Sequence, residues 1–213
     1  MDNPIIFIAE LIGTIAFASS GAMMGIKKNL DMFGIILLGL CVAVGGGILR
    51  DIILGFTPPS AFRNPSYAIV ALVTSLILFL VIYWKQELLN SHYMEIYEKA
   101  MNYCDAVGLG IFTVVGVHTG YTQGYRDGFF LVFLGMLTGI GGGVIRDVLV
   151  DTIPFILRKH IYAVAALVGA VICEQLIGTH PYMAMGLGAA SILVIRVLAS
   201  VYEWNLPRPI HKK

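Results

Sequence analysis

The stretch Gly45-Gly46-Gly47-Ile48-Leu49-Arg50-Asp51 lies inside a long apolar run, and Gly141-Gly142-Gly143-Val144-Ile145-Arg146-Asp147 repeats its pattern inside a second one. Few folds tolerate this. Each glycine in a helix interior costs about 1 kcal/mol relative to alanine, so a triplet is kept for a reason. One reading is a broken helix. In hydrocarbon the freed backbone groups must be met by protein, water or ligand, so such a break lines a cavity or packs within protein. The other reading is close crossing of two helices, which small residues permit in membrane bundles.

The surroundings decide the solvent. Of 213 residues, 58% are hydrophobic and 13% charged, and the mean hydropathy is +0.84, which places the chain among polytopic proteins of a lipid bilayer. A net charge of +1 without a basic stripe gives no reason to expect nucleic acid. Cys41, Cys104 and Cys173 fall in or beside apolar runs without CxxC spacing and read as small buried hydrophobes. His118 and His180 have no ligand-spaced partners, so no metal is expected. With no nucleophile elbow, paired-His helix, phosphate loop or dinucleotide fingerprint, neither an enzyme nor a cofactor is expected. The first apolar run is followed, not preceded, by Lys27 and Lys28, the reverse of a signal peptide.

About 20 apolar residues span a bilayer, and on that ruler seven transmembrane helices are expected in an all-α protein. They cover residues 5–26, 31–44 resuming to 56, 67–84, 103–118, 127–140 resuming to 150, 161–177 and 182–202. Asp31 and Asp127 stand where they can cap the second and fifth. Pro58, Pro59 and Pro154 stop the same two. The polar stretch 86–101, with Glu87, Glu95, Glu98 and Lys99, reads as a surface linker between two halves.

Those halves align as repeats, an architectural signal that outranks local propensity. Glu10-x-x-Gly13 answers to Asp105-x-x-Gly108, Gly21 to Gly116, and Arg63-x-x-x-Tyr67-Ala68 to Arg158-x-x-x-Tyr162-Ala163. Repeat 1 therefore covers residues 4–84, the linker 85–101 and repeat 2 residues 102–178. A seventh helix, 181–202, and a basic tail, 203–213, complete a single membrane domain over 1–213. Three spans is an odd number, so the second repeat lies inverted, a recurring transporter plan with its site at the repeat interface. Lys27, Lys28, Lys85, Lys99, Arg158, Lys159, Arg208, Lys212 and Lys213 collect on one side, against Arg63 and Arg126 on the other. That bias puts the N-terminus outside and the C-terminus in the cytoplasm.

A helix broken at Gly45 to Gly47 or Gly141 to Gly143 leaves a carbonyl end that attracts cations and an amide end that attracts anions. Together they suit a zwitterion such as a small amino acid. Arg50-Asp51 and Arg146-Asp147 are sequence neighbours that point to different helix faces, so their pairing is expected across helices or repeats. Arg50 and Arg146 can also guard the two mouths. Glu10 and Asp105 are equivalent acids, able to hold a cation, carry a proton or partner the arginines. Ser19 and Ser20 offer hydroxyls at the depth of the break, either to a pore or to the helix carbonyls behind them.

Two copies of GGGxxRD, each in a three-helix repeat and followed by a seventh helix, resemble the bacterial inner-membrane family of glycine-transporter-domain proteins. That family is related in fold to the trimeric intracellular cation (TRIC) channels. The resemblance runs from about Pro4 to Tyr202. It implies kinks at Gly45 to Gly47 and Gly141 to Gly143, a conduction route within each protomer, a homotrimer and a bacterial inner membrane. Where the channel relatives carry basic residues on the fourth helix, residues 103–117 carry Asp105 and no Lys or Arg. The expectation is a transporter of a small solute, glycine or a similar small amino acid, acting at the two broken helices. A TRIC-like channel for a monovalent cation, potassium, is the alternative, and a non-transporting membrane scaffold is a further one.

Overall fold

The computed structural model describes residues 4–85, 91–158 and 161–204, with no account of the side chains of 91–95 or of Arg158. Lys159, Arg208, Lys212, Lys213 and the head of the expected linker, 86–90, lie outside the described residues. The described chain is helical: α1 (Pro4–Lys27), α2 (Met32–Ile53), α3 (Ser60–Arg63), α4 (Ser66–Trp84), α5 (Ser91–Thr122), α6 (Gly128–Leu149), α7 (Phe155–Arg158), α8 (Tyr162–Ile177) and α9 (Pro181–Val201). Six are long and apolar enough to cross a membrane. The 16-residue α8 is shorter, and α3 and α7 are single turns unforeseen in the sequence.

Asp31 caps α2 by accepting from the Gly34 N–H at 2.7 Å, and Asp127 caps α6 by accepting from the Phe130 N–H at 2.7 Å. Asp31→Ala and Asp127→Ala should each lower stability by about 1 kcal/mol. Thermal unfolding in detergent of both single variants and the double variant would check this, with near-additive losses expected of such distant sites.

The two glycine triplets do not break their helices. α2 runs unbroken from Met32 to Ile53 and α6 from Gly128 to Leu149. The glycines sit instead where α2 and α6 cross. A methyl built on Gly46 would overlap the Thr138 carbonyl oxygen, and one on Gly142 would overlap the Val42 carbonyl oxygen. A methyl on Gly141 would lie 3.1 Å from the Gly46 Cα. Packing between the helices therefore outweighs the low helix propensity of glycine, as it commonly does for helices in membranes.

The stretch expected as a surface linker is described from Ser91 onward. From Ser91 the chain is already helical, and α5 continues through 32 residues to Thr122. Tyr97 and Met101 are buried on the end of α1, where the Tyr97 hydroxyl donates to the Met23 carbonyl at 2.7 Å. Lys27 and Glu98 form an ion pair beside them. These contacts turn a polar stretch into a docked helical stem.

The pattern of burial is that of a protein in lipid. Ile5, Ile8, Ile12 and Ile15 of α1 are exposed, as are Ile69, Val73 and Ile77 of α4, which buries only Ala71 and Ser75. The interior holds Thr14, Ser20, Arg50, Asp51, Asp105, Thr113, Thr138, Arg146, Asp147 and Arg196. Charge in the middle and hydrocarbon outside is affordable only when the charges meet one another or water. α1 packs on α2, α4 and α5, while α5 packs on α6, α8 and α9. The polar interior lies along these contacts.

Candidate functional site

Two charged clusters occupy opposite ends of the helix bundle. The first is built from Glu10 of α1, Arg50 and Asp51 of α2, and Tyr67 of α4. Arg50 Nε donates to Asp51 Oδ1 at 2.8 Å, and its Nη1 lies 3.7 Å from Glu10 Oε1. The Tyr67 hydroxyl donates to Glu10 Oε2 at 2.5 Å. The other Asp51 oxygen accepts from the Ser60 N–H at 2.7 Å, which ties α3 to the end of α2. From α5, Thr119 Oγ1 lies 3.4 Å from Arg50 Nη1.

This cluster faces a half-open cavity of about 580 Å³. Glu10, Thr14, Gly47, Arg50, Phe112 and Thr119 are on its walls, with Arg63 and Gln123 among the residues around it. Phe112 stacks on Phe17 with ring centroids 5.3 Å apart, and Phe17 is fully buried. The aromatic pair separates the cavity from the next turn of α1, which carries Ser20.

The second cluster repeats the first with different partners. Arg146 Nε donates to Asp147 Oδ1 at 2.8 Å, and Arg146 Nη1 donates to Asp105 Oδ1 at 2.6 Å and to Ser20 Oγ at 2.6 Å. Asp147 Oδ2 accepts from the Phe155 N–H at 2.8 Å, as Asp51 does from Ser60. Tyr162 stands where Tyr67 stands in the first cluster. Arg196 of α9 adds a second guanidinium, 4.7 Å from the Tyr162 ring centre and 4.0 Å from Asp105 Oδ2. The side chains of Arg146 and Asp105 are 0% exposed, against 7% and 18% for Arg50 and Glu10.

The two clusters gather their charges from different elements. Among the described side chains, the second cluster sets Arg146 and Arg196 against Asp105 and Asp147, with Asp105 Oδ2, Arg146 Nη2 and the Tyr162 hydroxyl buried and making no hydrogen bond to a described residue. The first sets Arg50 against Glu10 and Asp51, with Arg63 also on the cavity that they line.

Several expected contacts are revised by this geometry. Arg50 and Asp51 do bridge each other, as do Arg146 and Asp147, because the arginine side chain is long enough to fold back along its own helix end. No described contact joins Arg50 to Asp147 or Arg146 to Asp51. What crosses between the halves is a hydroxyl: Ser20 to Arg146 and Thr119 to Arg50. Ser19 is half-buried, and the described hydrogen bond to Arg146 is made by its neighbour. Within the triplets, Gly47 lines the cavity, and a methyl on Gly143 would fall 2.9 Å from the Tyr162 hydroxyl. Glu10 and Asp105 are the acids that the arginines meet.

Sequence reading overlooked Tyr67, Tyr162, Thr119 and Arg196 as site residues. The tyrosines were visible as repeated Arg-x-x-x-Tyr, and Arg196 as a lone charge inside the last apolar helix. For Thr119 the sequence carried no signal.

A family model described as "Glycine transporter" matches residues 7–83 and 102–177, the two stretches that carry these clusters apart from Arg196. The chain belongs to the glycine transporter family. A fellow protein, the UPF0126 inner membrane protein YadS of Escherichia coli strain K12, is 33% identical over 208 residues, covering 96% of this chain and 95% of that one. Solved structures extend the likeness to three dimensions. A prokaryotic TRIC channel in 0.5 M KCl is 32% identical with a TM-score of 0.85, covering 95% of this chain and 98% of that chain. The TRIC trimeric intracellular cation channel orthologue from Rhodobacter sphaeroides is 29% identical with a TM-score of 0.83, covering 95% and 100%. This member of the glycine transporter family is thus an integral, multi-pass membrane protein with the TRIC channel fold.

Proposed function

We propose that the chain conducts monovalent cations, potassium in the first place, through a route within each protomer that begins at the Glu10–Arg50 cavity. The observation that carries this reading is the cavity itself: about 580 Å³ reaching into the bundle, with the carboxylates of Glu10 and Asp51 in its wall beside Arg50 and Arg63. Carboxylates set in a low-dielectric wall hold a cation more strongly than they would in bulk water. The near full-length likeness to proteins described as cation channels supports it. In this reading Glu10, Arg50, Asp51, Gly47 and Thr119 form the open mouth. Asp105, Arg146, Asp147 and Ser20 form the closed one, with Phe17 and Phe112 between them.

The same reading takes the two halves as inverted repeats within seven spans, counting α8, with α9 outside the duplication. The N-terminus is outside, so the cavity opens outward, and three copies assemble as a homotrimer in the bacterial inner membrane. Transport of glycine, favoured by the family's description, is the second reading. The helix ends invoked to hold a zwitterion are missing from it, since α2 and α6 run through their glycines.

Reconstitution into liposomes separates the two. Potassium current that follows the imposed potential and is insensitive to glycine is the expected outcome. Saturable uptake of radiolabelled glycine without potassium current would overturn the proposal, and no flux of either would favour a scaffold.

A further inference from the structure

The two clusters share a plan, an acid, an Arg-Asp pair and a tyrosine, yet one is open and the other sealed. What distinguishes them is α9. It packs against α5 and α8 and has no described counterpart on the first half. It brings Arg196, 3% exposed, to 4.0 Å from Asp105 Oδ2 and over the ring of Tyr162. In the first cluster the acid at the same place, Glu10, meets Arg50 at 3.7 Å and turns its second oxygen to Tyr67.

We infer that Arg196 is the positioning residue that keeps the Arg146 end closed: its guanidinium lies beside Asp105 and over Tyr162 and holds both in place around Arg146. The inference rests on the conduction reading for its consequence, but the closure is a property of the side chains alone. A second guanidinium beside a buried carboxylate offsets part of the cost of its burial. The helix added outside the duplication therefore makes two similar ends unequal. Under a resting membrane one mouth stays shut, and a single charge on α9 sets how firmly.

The test is Arg196→Gln beside Arg196→Lys in lipid nanodiscs and liposomes, with two readouts. Hydrogen exchange reports closure: Arg196→Gln should raise the exchange of the amides from Val144 to Phe155 at least about fivefold, with those from Gly47 to Ser60 unchanged. Arg196→Lys, which keeps the charge, should restore most of the protection. Unstimulated potassium flux should rise in Arg196→Gln by a similar factor. Faster local exchange with no flux in any variant, wild type included, would uphold the closing role and sink the conduction reading. Unchanged exchange, or an equal rise at both ends, would overturn the inference whatever the flux. So would faster local exchange in a conducting protein whose resting flux stays at the wild-type level.

Discussion

Arg146→Met should lower the stability of the folded protein by roughly 3–5 kcal/mol, the range for removing one member of a buried, hydrogen-bonded charge pair. Asp105 and Asp147 are 0% and 1% exposed in their side chains, and with Arg146 gone neither has water to turn to. Ser20 loses its partner as well. Arg50→Met removes the matching side chain from the other cluster, yet the loss there should be smaller. Glu10 faces the cavity and already shares its charge with Tyr67, so water can enter where the guanidinium was. The double variant Arg146→Met/Asp105→Asn should recover part of the loss, because the second change removes the stranded charge. Denaturant unfolding in detergent measures all three. Equal losses at Arg50 and Arg146, or additive ones at Arg146 and Asp105, would refute the contrast between a sealed and a hydrated cluster.

How the site could be foreseen depended on which physical term decided each feature. The membrane class was legible because apolar run length and charge in hydrocarbon are written in residue types. Asp31 and Asp127 were legible as caps for the same local reason. The helix breaks were not, since a glycine triplet spells a break and a close crossing alike, and only the Thr138 and Val42 carbonyls of the partner helices choose between them. The bridging of Arg50 to its own neighbour Asp51 escaped because backbone spacing says nothing of how far a guanidinium folds back. The stem of α5 escaped for a third reason. Its polar composition describes what faces water, while the buried Tyr97 and Met101 that dock it on α1 are too few to shift an average.

Gly46→Ala and Gly142→Ala should each destabilise the protein, although alanine is the better helix former by about 1 kcal/mol. The obstacle in both cases is a carbonyl oxygen of the opposing helix, Thr138 for Gly46 and Val42 for Gly142. A backbone oxygen cannot rotate aside as a side chain can, so α2 and α6 must move apart. Overpacking of this kind costs typically about 1–3 kcal/mol, and more where rigid groups collide. Separation would also strain Phe17, which a methyl on Gly142 would approach to 3.3 Å, and with it the aromatic pair below the cavity. Gly47→Ala provides the contrast one residue away. Its methyl would meet only Arg50 Nη2, at 3.9 Å, so the helix preference for alanine acts unopposed and stability should hold or rise. Leucine at position 46 or 142 should go further and prevent the crossing, with loss of folded protein rather than a folded protein lacking flux. Thermal unfolding of the three alanine variants, read beside their potassium flux, decides it. Equal tolerance at Gly46 and Gly47 would mean that the triplets are not held by the α2–α6 crossing, and a break or hinge would again be the better account of them.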